Sequence, residues 1–145
     1  MRLVHFLIAL PAVLLALATF AGNPPGDPRT LPRALGVEPL AKSSEKGDGC
    51  AFTRYTFLDP LFGVVVEFRC ARIDIGWTDL GDPGTAERTR RNRDLTARAV
   101  TILTGSDGAE VARLTGGETL RDQPLPGGLR LSGGCAEHRC RLSLR

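Results

Sequence analysis

Four cysteines constrain this chain more than any other feature, because each pair brackets residues that alternate like a strand. They are Cys50, Cys70, Cys135 and Cys140. Between the first two, Cys50 to Leu58 is rich in aromatic and β-branched residues, and Asp59-Pro60-Leu61 reads as a turn. Beyond it Phe62, Val64, Val66, Phe68 and Cys70 share one face, and Val65, Glu67, Arg69 and Ala71 the other. Folding this segment with Leu58 opposite Phe62 puts Arg54 against Val66, Phe52 against Phe68 and Cys50 against Cys70, the approach a disulfide needs. A slip of one residue would separate that pair.

The second pair repeats the arrangement. Placing Cys135 opposite Cys140 sets Gly133 against Leu142 and Leu131 against Leu144. Cys140, Leu142 and Leu144 then lie on one face, with Arg141, Ser143 and Arg145 on the other. Cys135–Cys140 closes a short loop, a gain of roughly 2–3 kcal/mol.

The compartment follows from the start of the chain. Met1-Arg2 precedes an apolar run from Leu3 to Phe20, broken by His5 and Pro11, and Thr19-Phe20-Ala21 offers small residues for cleavage before Gly22. This predicts a signal peptide over 1–21 and no transmembrane segment in the mature chain. An even number of cysteines in an exported chain favours disulfides. Arginine outnumbers lysine 17 to 2, which fits a GC-rich coding sequence and points to a bacterial periplasmic or secreted product.

Residues 22–49 read as a Pro/Gly-rich flexible lead-in, in which Leu31, Leu35, Val37 and Leu40 are the apolar anchors. Residues 50–145 form the β-domain. Within it Gly76 to Gly84 reads as a loop that docks Trp77 on the core, and Thr85 to Asp94 as a helical turn or an extended loop. Leu95 to Thr104 reads as a strand, Gly105-Ser106-Asp107-Gly108 as a hairpin turn and Val111 to Thr115 as its return. Thr119 to Gln123 reads as a short strand. No stretch shows a sustained 3.6 period. The expected fold is all-β: a small antiparallel barrel or sandwich of six to eight strands, with two disulfides each inside its own hairpin.

Catalytic signatures are weak. His138 is the one histidine beyond the signal segment, and it sits between two cysteines at a spacing unlike zinc sites. No Gly-x-Ser-x-Gly stretch is present. Glu67, Asp74 and Asp79 are the acids considered for a hydrolase pair, but Glu67 and Asp74 fall on opposite faces if their strand is unbroken. No cofactor or metal is expected.

Two surfaces stand out instead. Arg88, Arg90, Arg91, Arg93 and Arg98 crowd one short stretch and suit phosphate, sulfate or carboxylate groups. The tip Pro60, Leu61 and Phe62 is apolar and suits insertion into a groove. Aromatics do not interleave with the arginines, and the formal charge of +3 is modest, so nucleic acid is not the expected partner. The reading is an exported, non-catalytic binding or inhibitory module whose partner is an envelope or extracellular protein, an anionic glycan or a lipid head group. The alternatives are a structural envelope-associated protein, a small-ligand carrier and a hydrolase with a carboxylate pair.

Overall fold

The computed structural model describes residues 27–47 and 49–145. The signal segment expected at 1–21 lies outside the described residues. Seven strands form one antiparallel sheet: β1 (Ala41–Gly47), β2 (Cys50–Phe57), β3 (Val64–Arg69), β4 (Arg72–Thr78), β5 (Leu120–Pro124), β6 (Arg130–Ala136) and β7 (Arg139–Leu144). Their order is β1-β2-β3-β4-β7-β6-β5. Two meanders, β1 to β4 and β5 to β7, therefore meet where β7 pairs with β4. Between the meanders the chain makes two helices, α2 (Ala86–Thr104) and α3 (Ala109–Thr115), and a short helix α1 (Leu31–Leu35) precedes β1.

The alternation read from the sequence is the physical basis of the sheet. Val64, Val66 and Phe68 on β3, Ile73, Ile75 and Trp77 on β4, and Cys140, Leu142 and Leu144 on β7 are all buried beneath the helices. Tyr55 and Phe57 on β2 and Leu131 on β6 extend this layer. The helices complete it with Leu31, Leu35, Leu95, Val100, Val111 and Leu114. Among the described residues no element covers the opposite face of the sheet.

Antiparallel structure, a strand count within six to eight and both hairpin disulfides agree with the sequence reading. Cys135 pairs with Cys140 in the predicted register, with Gly133 on Leu142 and Leu131 on Leu144. The Cα atoms of that bridge are 4.0 Å apart, and those of Cys50–Cys70 are 5.9 Å apart. The barrel or sandwich gives way to a single open sheet with edge strands β1 and β5.

Four local readings are corrected. The β2–β3 register is displaced by one residue, with Arg54 on Glu67, Tyr55 on Val66 and Phe57 on Val64. The Cys50–Cys70 bridge survives because it lies beyond the paired stretch, with Cys70 in the turn before β4. Tyr55 and Phe57 therefore face the core, where Phe52 and Arg54 had been expected. Second, Leu95 to Thr104 and Val111 to Thr115 are helical. The buried stripe of α2 is Thr89, Asn92, Leu95, Thr96, Ala99, Val100 and Thr104. It has helical spacing, but mostly in small or polar residues, so its apolar signal is faint. Gly105 and Gly108 join two helices, not two strands. At Gly108, φ is +78° and an added Cβ would stand 2.8 Å from the Ala97 carbonyl oxygen, so only glycine fits. Third, Gly76, Trp77 and Thr78 belong to β4. Fourth, the lead-in at 22–49 supplies α1 and β1, so its residues 31–35 and 41–47 are structured. Arg98 on α2 donates to the Leu35 carbonyl and ties α1 to the helical layer.

Each edge has its own character. Strand β1 is almost wholly polar, and β5 has an irregular register between Leu120 and Gln123, with Asp122 at φ 49°.

Candidate functional site: the open face of the sheet

Side chains on the uncovered face sit between the buried positions of each strand. In the middle row, cross-strand pairing aligns Arg54, Glu67, Asp74 and Ser143. Glu67 and Asp74 are thus direct neighbours on adjacent strands. The sequence reading that put them on opposite faces took 62–75 as one strand, whereas the Cys70-Ala71 turn reverses the chain between them.

Both carboxylates are nearly buried, with side-chain exposures of 11% and 4%. A buried charge needs partners, and arginines supply them. Glu67 Oε1 accepts from Arg54 Nε at 2.7 Å, while Oε2 accepts from Arg69 Nη2 at 2.7 Å. Asp74 Oδ2 lies 2.8 Å from Arg72 Nε, 3.1 Å from Arg141 Nη2 and 3.4 Å from Arg69 Nε. The Arg72 contact is an ion pair, since neither Arg72 Nε nor Asp74 Oδ2 makes a hydrogen bond. Asp74 Oδ1 accepts from the Ser143 hydroxyl. Arg69 therefore bridges the two acids, and it also lies over the Phe52 ring at 5.1 Å.

Burial opposes the charge on Glu67, but hydrogen bonds from Arg69 and Arg54 outweigh it and hold the carboxyl below its usual range. A glycosidase-type proton donor needs the opposite shift. The structure thus brings the two acids together while holding Glu67 ionised.

Four guanidiniums surround two carboxylates, so positive charge is in excess. Each guanidinium has five N–H donors, and Arg72 and Arg141 engage few of theirs here. Arg139 on β7 and Arg145, one residue past its end, continue the alternation of Arg141 and Ser143 on this face and make no ion pair among the described residues. Three hollows run together along this face. One is lined by Phe52, Arg69, Arg72 and Arg145, the next by Arg54, Glu67, Arg69, Asp74 and Arg141, the third by Leu61, Trp77, Arg139 and Arg141. Arg69 is common to the first two, and Val65, Gly76 and Arg141 to the last two. They form a shallow trough along the strands on the order of 20 Å long at about 3.3 Å per residue.

The sequence candidates fall elsewhere or at the trough's end. Arg88, Arg90, Arg91, Arg93 and Arg98 all lie on α2, not in a loop. Arg90 pairs with Glu87 and Asp94, each at 2.8 Å, Arg91 with Glu87 at 3.0 Å, and Arg93 with Asp79 at 2.8 Å. Hydrogen bonds from Arg90 and Arg91 draw the Glu87 carboxyl down to about 2. Much of this cluster is therefore neutralised by its own helix and by Asp79. Arg88 lies over the Phe62 ring at 5.7 Å.

The tip is rigidly built. Asp59 Oδ1 accepts from the Leu61 and Phe62 amides at 2.9 and 2.8 Å. Those backbone bonds hold the Asp59 carboxyl below its usual range. Asn92 Nδ2 donates to the Phe62 and Thr78 carbonyls at 2.7 and 2.8 Å, fixing the tip to α2. Leu61 remains 75% exposed, and with Pro60 it borders the Arg139–Arg141 end of the trough.

His138 lies in the exposed β6–β7 turn, where its carbonyl accepts from the Asp79 amide at 2.9 Å. Cys135 and Cys140 are joined, so neither offers a thiolate to a metal. Half of the trough was visible in the sequence, which placed Glu67 with Arg69 and Arg141 with Ser143 and Arg145. The missing half is the β4–β7 pairing, a contact between residues about seventy apart that no local pattern signals. Neither protein-family models, nor curated proteins, nor solved structures provide a match to this chain.

Proposed function

We propose that the protein is an exported, non-catalytic binding or inhibitory module that recognises an acidic partner through the open face of its sheet. The observation that carries this reading is the guanidinium array on Glu67 and Asp74. Two nearly buried carboxylates hold arginines in fixed positions with donors to spare, which favours planar, bidentate recognition of carboxylate, sulfate or phosphate. Two disulfides support export to a periplasmic or extracellular setting, because such bonds persist where thiols are not kept reduced. The apolar segment at 1–21 supports the same route.

Salt elution from immobilised heparin, used as a generic polyanion, tests the reading. R139A/R141A/R145A and R88A/R90A/R91A each remove three charges. The open-face triple is expected to elute at clearly lower salt than the helix triple, since the salt dependence follows the number of anions contacted. Equal elution of the two, or a larger drop for the helix triple, would overturn the assignment to the sheet face.

A further inference from the structure

The trough is not uniform, and its disulfide end differs in kind from the rest. There Phe52, the Cys50–Cys70 bridge and Ala71 form an apolar wall beside Arg69, Arg72 and Arg145. The hollow measures about 520 Å³, a volume within the range of small-molecule sites. Among the described residues no acidic side chain lines it, whereas the adjoining hollow contains both Glu67 and Asp74. Arg69 is committed to Glu67 and to the Phe52 ring, so it acts as part of the wall. Arg72 keeps its terminal nitrogens, and Arg145 has no ionic partner among the described residues. Arg145 is nonetheless held in place, because its backbone exchanges two hydrogen bonds with Arg130, at 3.0 and 2.9 Å.

We infer that this hollow is a binding site for an amphipathic anion, an aromatic or short acyl group bearing one carboxylate, sulfonate or phosphate. The apolar part covers Phe52, the bridge and Ala71, and the anionic head meets Arg72 and Arg145. A bare inorganic anion would leave the apolar wall wet, and an uncharged apolar molecule would leave the guanidiniums without a counter-charge. This rests on the open-face reading and names the ligand class for one end of it.

Titration of the ¹⁵N-labelled chain with naphthalene-2-sulfonate tests the inference, with naphthalene-2-methanol and inorganic sulfate as comparators. Saturable shifts are expected at the amides of Phe52, Ala71 and Arg72, with at least tenfold weaker binding of both comparators. R145E is expected to weaken naphthalene-2-sulfonate at least tenfold and F52S several-fold. R88A/R90A/R91A, on α2 and away from the trough, is expected to leave it unchanged, and the same spectra report whether each variant is folded. Shifts centred elsewhere, equal binding of sulfate, or undiminished binding to folded R145E would each overturn the inference. Retained open-face dependence on heparin without naphthalene-2-sulfonate binding would sink this site alone. Loss of both would sink the open-face reading with it.

Discussion

The two faces of the sheet are built from the same strands and obey opposite chemistry. On β3, Val64, Val66 and Phe68 point beneath the helices, while Val65, Glu67 and Arg69 alternate with them on the uncovered side. One face gains its stability from removing apolar surface from water. The other holds charge at positions nearly as buried, and must pair each carboxylate to do so. The contrast separates scaffold from recognition surface without separating them in sequence. Adjacent residues serve different purposes.

The largest expected effect lies on the covered face. Phe57 is fully buried, and F57A is expected to cost about 3–5 kcal/mol in urea unfolding, as large-to-small aromatic changes do. Next is D74N, which removes the counter-charge of Arg72 and Arg141 but keeps the shape. Those guanidiniums are partly solvated, so water absorbs some of the loss, and about 1–3 kcal/mol is expected. A D74N cost exceeding that of F57A would break the comparison, because the charged face would then be the stronger support.

A third effect is a dependence on pH. The folded state lowers the Glu67 carboxyl below its ordinary 4.5. Its stabilising contribution is therefore complete above that value and is lost as pH falls through the lower folded value. Melting temperature measured from pH 7 to pH 2 should fall on the acid side, and E67Q should make that limb shallower. An identical acid limb in E67Q would remove Glu67 from the account. The smallest effect belongs to R139A/R145A, whose side chains make no ion pairs among the described residues. Thermal stability is expected to change by no more than about 0.5 kcal/mol. That would sharpen the division, since these arginines would be dispensable for folding while available for binding.

How far the sequence discloses this architecture depends on the range of the contact involved. The β6–β7 register was legible because a short turn and two cysteines fix it locally. The β2–β3 register differs by one residue from the one the cysteines suggest, because their bridge spans a point where the ladder has ended. Helix α2 leaves no clear period in the sequence, because Thr89, Asn92, Thr96 and Ala99 fill much of its buried stripe and carry little hydrophobic contrast. The site was half legible. Alternation placed Glu67 with Arg69, but only folding brings Arg141 and Ser143 to Asp74. The exposed arginines of α2 were conspicuous in the sequence because they are contiguous, yet contiguity on a helix also lets Glu87 and Asp94 neutralise them.

The two edges have a consequence for how copies of the protein meet. An unpaired strand is a template on which another chain can extend a sheet. Along β1 such a chain would meet Lys42, Glu45 and Lys46 on a strand with no large apolar side chain. Along β5 it would meet the break between Leu120 and Gln123, the turned backbone at Asp122, and Pro124, which has no amide hydrogen to give. Neither border, as the described residues form it, offers a regular apolar rung, so both are poor templates for a further strand.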